Sequence, residues 1–76
     1  MEYLTMAYFT YNDGKADKQS VYKYDNVDEA IARYHTVFGY VTSKDCQTIM
    51  SVILDKKGNT VRSEYWERKD DVVITE

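Results

Sequence analysis

The chain has 76 residues, 43% apolar and 30% charged, with no proline, one cysteine and one histidine. That length holds one small domain, too short for a TIM barrel, a dinucleotide-binding fold or a two-domain enzyme, and a lone cysteine excludes an internal disulfide. The net charge of −3, from ten basic and thirteen acidic side chains, argues against generic nucleic-acid binding, which depends on a positive field.

Tyr3 to Tyr11 (YLTMAYFTY) is rich in β-branched and aromatic residues and stops at Asn12-Asp13-Gly14, which predicts a strand and a tight turn. Lys15 to Lys18 is a polar loop, and Ser20 to Tyr24 resumes strand chemistry. Asn26 is a good N-cap with Glu29 three residues on, and Asp28 and Glu29 place negative charge in the first helical turn. Val27, Ala30, Ile31, Tyr34 and Phe38 fall on one helical stripe, and Gly39 stands where a left-handed residue would close it. A helix is therefore expected from about Val27 to Phe38. Val41 to Asp45 reads as a polar connection and Gln47 to Asp55 as the third strand. Asp55 to Asn59 reads as a turn with Gly58 in a bulge position, and Thr60 to Arg68 as the fourth strand. Residues 69–76 read as a short edge strand or a frayed end.

The order β-β-α-β-β predicts a single α+β domain over 1–76, one helix packed on a four-stranded antiparallel sheet. A bulged second turn would set Ile53 opposite Val61, Ser51 opposite Ser63 and Ile49 opposite Tyr65 on the helix side. Met50, Arg62 and Trp66 would then lie on the other face, and a one-residue change of register swaps the two sets. Tyr34 and Tyr65 are assigned to the core. Both faces of the first and third strands are apolar, and one short helix covers only one of them, so the second face needs a partner.

Catalytic chemistry finds little support. His35 lies off the helix stripe and has no second histidine to share a metal or a proton with. Cys46 stands at a strand start, away from a helix N-terminus that would lower its pKa. The pair Asp28-Glu29 is explained by capping. Asn12-Asp13-Gly14 with Asp17 lacks the frame of a calcium loop, and no phosphate-binding glycine loop can be written. No catalytic, cofactor-binding or metal-binding residue is assigned, and no enzyme activity is expected.

The tyrosines point instead to a surface. There are eight, against two phenylalanines and one tryptophan. Tyr3, Tyr22, Tyr24, Met50, Arg62 and Trp66 are the candidate interaction residues, since aromatics with guanidinium groups typify interface hot spots. A homo-oligomer or a protein partner is the first expectation. A module that stacks single-stranded nucleic acid or a small ligand on the aromatic face is the alternative, although the basic-glycine-aromatic pattern of RNA-recognition sheets is missing. The longest apolar run, 72–74, falls far short of the roughly 20 residues that span a bilayer. Met1 to Leu4 lacks the basic start and apolar stretch of a signal peptide, and the lone cysteine suits a reducing compartment, so the cytoplasm is expected.

The segments Ser20 to Tyr24, Asp28-Glu29-Ala30, Tyr34-His35 and Asp55-Lys56-Lys57-Gly58 together resemble a set of short uncharacterised proteins. These are carried by Gram-positive bacteria, particularly gut Firmicutes, and by their phages and mobile elements. The resemblance implies a bacterial setting and brings no activity, cofactor or site with it.

Overall fold

The computed structural model describes residues 1–12 and 14–69. β1 (Tyr3–Tyr11) and β2 (Lys18–Tyr24) form a hairpin, α1 (Val27–Thr36) crosses the sheet, and β3 (Cys46–Asp55) and β4 (Thr60–Glu67) form a second hairpin. The sheet order is β2-β1-β3-β4 with every neighbouring pair antiparallel, the α+β architecture implied by the element order. Asp13, in the first turn, and the tail from residue 70 onward lie outside the described residues.

α1 begins where its capping chemistry dictates. Asn26 Oδ1 accepts from the Asp28 amide at 2.7 Å and from the Glu29 amide at 3.3 Å. Its end departs from the expectation drawn from the stripe. The α-helix stops at Thr36 and the backbone tightens into a 3-10 segment, Val37–Thr42, with Gly39 outside the left-handed region. The tighter winding brings Val37 to 3% exposure and packs it with Phe9, Cys46 and Ile49, while Phe38 and Val41 close over them. Apolar burial, and not the glycine, sets where the helix ends.

The helix lies over the middle of the sheet because the side chains there are small. Thr5, Ala7 and Ser51 on the strands and Ala30 on the helix are all nearly fully buried. The two hydroxyls stay satisfied: Thr5 Oγ1 donates to the Ala30 carbonyl at 3.4 Å and Ser51 Oγ to the Tyr34 carbonyl at 3.1 Å. Larger side chains gather at either end of this contact. Tyr34 and Ile53 pack with Tyr3, Tyr24 and Ile31 beside Ala30, while Phe9, Val37, Cys46 and Ile49 pack with Tyr11, Val41 and Trp66. Phe38 touches both groups.

The second hairpin turns at Asp55–Asn59, with Asp55 N donating to Asn59 O at 2.9 Å and Gly58 at φ +88°. The pairing then slips. Leu54 pairs with Thr60 but Ile53 pairs with Arg62, which makes Val61 the extra residue of a bulge. Glu64 thus stands opposite Ser51 and Trp66 opposite Ile49, where a straight register would have set Ser63 and Tyr65. One inserted residue reverses the facing of the rest of the strand. The slip keeps the indole of Trp66 on the core and lets Arg68 reach back, donating to the carbonyls of Cys46 at 2.9 Å, Val41 at 2.8 Å and Ser43 at 3.0 Å. Tyr65, assigned to the core from sequence, is turned out and 61% exposed.

Candidate interaction surface

The six residues singled out by the sequence do not share one face. Tyr3, Tyr22, Tyr24, Arg62 and Trp66 lie on the helix side, in register with the buried Thr5, Ser51, Ile49 and Ile53, and Met50 alone lies on the opposite face. The correction for Arg62 and Trp66 follows from the bulge at Val61. Several of these side chains are also engaged within the chain. Tyr3 and Tyr24 pack against the core, and the Tyr24 hydroxyl accepts from Arg33 Nε at 3.4 Å. The Arg33 guanidinium stands 4.1 Å from the centre of the Tyr22 ring, and that of Arg68 stands 5.0 Å from the Trp66 ring.

The face away from the helix is built from the alternate residues of all strands. Reading across the sheet, one row runs Lys23, Leu4, Leu54, Thr60 and the next Val21, Met6, Val52, Ser63. A third runs Gln19, Tyr8, Met50, Tyr65, and a last short row holds Thr10, Thr48 and Glu67. Within the strands the charged side chains on this face are Lys23 and Glu67, at diagonally opposite corners, so its centre is uncharged. Val21, Tyr8, Met50 and Tyr65 on this face are all exposed, between 38% and 61%. Thr10 and Thr48 hydroxyls hydrogen-bond each other, and the Tyr8 hydroxyl donates to Asp17, whose carboxylate holds the phenol above its ordinary pKa. The alternation Leu4-Met6-Tyr8 was visible in the sequence; Tyr65 was missed because it depends on the bulge.

The histidine and the cysteine stand on different elements, His35 on α1 and Cys46 at the start of β3. Cys46 is fully buried and burial pushes its thiol up, away from the thiolate a nucleophile needs. His35 is exposed on α1 with its ring edge against Tyr34, centroids 5.0 Å apart. Among the described residues, no three His, Cys, Asp or Glu side chains converge as metal ligands. No described helix is long and apolar enough to cross a membrane. The chain matches no family model, no curated protein and no solved structure.

Proposed function

We propose that this chain is a non-catalytic interaction domain that self-associates through the sheet face opposite the helix. The observation that carries the reading is the uncharged centre of that face, where Leu4, Met6, Tyr8, Met50, Val52 and Leu54 run together across two strands with exposed Val21 and Tyr65 beside them. A second copy is the matching occupant: it brings the same apolar centre and the same two corner charges of opposite sign. At about 4.8 Å between strands and about 3.4 Å per residue, four strands of seven residues present roughly 450 Å² in plan. Two such faces bury about 900 Å², close to the lower bound of about 1,000 Å² for a specific interface, so the contact is reversible and concentration-dependent. The resemblance to short Gram-positive and phage proteins favours a bacterial cytoplasm as the setting.

Sedimentation velocity over a concentration series tests the reading. The weight-average mass rises with concentration for the native chain, and M50K lowers it while the melting temperature stays near that of the parent. A native chain that keeps the mass of one copy up to high micromolar concentration overturns it.

A further inference from the structure

The outer edge of β4 carries a second and separate signal. Among the described residues β4 is an edge strand, exposed at every position except Trp66, and it contains neither proline nor lysine, two residues that commonly block edge pairing. Lysines do stand on the other edge strand, at Lys18 and Lys23. The Arg68 amide donates to the Gln47 carbonyl at 2.8 Å, which fixes the phase of the β3–β4 ladder. Hydrogen-bonded pairs alternate along an antiparallel ladder, so Arg62, Glu64 and Trp66 direct their amides and carbonyls at β3. Ser63, Tyr65 and Glu67 direct theirs outward.

An antiparallel pair of identical edges has its two-fold axis perpendicular to the sheet, passing midway between one residue and its copy. On the regular stretch beyond the bulge, Arg62 to Trp66, the charges of β4 discriminate among the centres. A centre at Arg62 or at Glu64 sets like charges directly opposite, and a centre at Tyr65 sets Arg62 against Arg68. A centre at Trp66 would call on Arg68, whose guanidinium is engaged with the carbonyls of Val41, Ser43 and Cys46. A centre at Ser63 alone sets Arg62 opposite Glu64 of the partner subunit, twice by symmetry. It also places an outward-directed Ser63 amide and carbonyl on the axis, as a hydrogen-bonded pair requires.

Both charged side chains lie on the helix side of β4, beside the Tyr34 ring. Glu64 Oε1 accepts from the buried Tyr34 hydroxyl at 3.0 Å, and the Arg62 guanidinium stands 5.9 Å from the Tyr34 ring centre. Among the described residues neither joins an ion pair within its own chain.

We propose that β4 is a self-pairing edge: two copies join antiparallel across Ser63, with Arg62 of each opposite Glu64 of the other, and extend the sheet into one continuous surface. The contact uses an edge and not the open face, so it stands or falls apart from the face-to-face reading.

The M50K background, which removes the face contact, isolates it. In sedimentation, M50K at high micromolar concentration remains a dimer, and hydrogen exchange at the Ser63 and Tyr65 amides slows as concentration rises. Adding R62E or E64R raises the dissociation constant about tenfold or more, and mixing the two reversed chains in equal amounts restores a heterodimer, since their charges are again complementary. S63P removes the amide on the axis without disturbing a bond to β3, and it also gives a monomer with the parent's circular dichroism. A monomeric M50K chain, an unchanged dissociation constant on charge reversal, or a mixture that fails to pair while both chains melt cooperatively overturns the proposal.

Discussion

Tyr34 is 1% exposed, yet its hydroxyl reaches the outermost strand and donates a 3.0 Å hydrogen bond to Glu64 Oε1. The helix and the edge of the sheet are thereby joined through one ring, which also packs with Ala30 and Ile53 and meets Phe38 edge-on at 6.0 Å. Removing the hydroxyl separates the two contributions.

Y34F keeps the packing and loses the bond, which lowers unfolding free energy by about 1 kcal/mol in urea titrations. The alkaline limb carries a second reading. Burial, and then the bond to Glu64, raise the Tyr34 phenol above 10.0. The folded state therefore holds this proton more tightly than the unfolded chain. Its contribution is complete below the free phenol's pKa and is lost as pH rises through the folded value. Y34F declines less steeply above about pH 10 than the native chain. Parallel decline of the two would show that burial does not protect this proton.

Arg68 closes the other end of the molecule. Its guanidinium and Nε bridge the carbonyls of Val41, Ser43 and Cys46, joining the 3-10 segment to the start of β3. R68A leaves those acceptors without their charged donor and costs about 2 kcal/mol, with faster hydrogen exchange concentrated at residues 37–46. R68K recovers only part of the loss, because an ammonium does not reproduce the planar fork. Uniform acceleration across the sheet would show that Arg68 acts on global stability alone.

The elements that the sequence made legible are those specified by neighbouring residues. Asn26 satisfies the first helical amides, and Asp55 to Asn59 closes a hairpin through its own side chains; both act within a few positions of the chain. The helix end was not legible, since it depends on Val37 finding Phe9 and Ile49, which are remote in sequence. The facing of β4 was not legible for the same reason. Tyr65 and Trp66 are adjacent and both aromatic, so composition cannot say which one turns inward. The bulge at Val61 decides it, and its advantage lies in the indole's place on the core and in the three carbonyls that Arg68 reaches. That one residue moved Arg62 and Trp66 off the open face and brought Tyr65 onto it.

Cys46 serves as a built-in reporter of that core. It is fully buried, its thiol is raised by desolvation with Arg68 opposing, and Sγ contacts the Thr48 carbonyl at 3.6 Å. Labelling by a thiol reagent at neutral pH is therefore expected to follow unfolding, with the native chain protected and R68A labelled faster, the logarithm of the rate rising with the stability lost. Rapid labelling of the native chain, at the rate of a free cysteine, would show that the strand start opens locally.

Asp55 organises the β3–β4 turn and gives the domain an acid-sensitive feature. Its Oδ1 accepts from the Asn59 and Lys57 amides, each at 2.9 Å, and Oδ2 accepts from Asn59 Nδ2 at 3.4 Å. The Asn59 amide, and secondarily that of Lys57, hold the carboxyl below its ordinary 3.8. The folded state thus favours the ionised form more than the unfolded chain does. The stabilisation is present above the free carboxyl's pKa and is lost as pH falls through the folded value. D55N preserves an acceptor for the two amides but cannot ionise, so it melts below the native chain at neutral pH and converges with it on acidification. D55A, with no acceptor, melts lower than both at neutral pH and disturbs the turn that sets β4 against β3. A constant gap between native and D55N melting temperatures from neutral to acid pH would show that the charge on Asp55 contributes nothing to the hairpin.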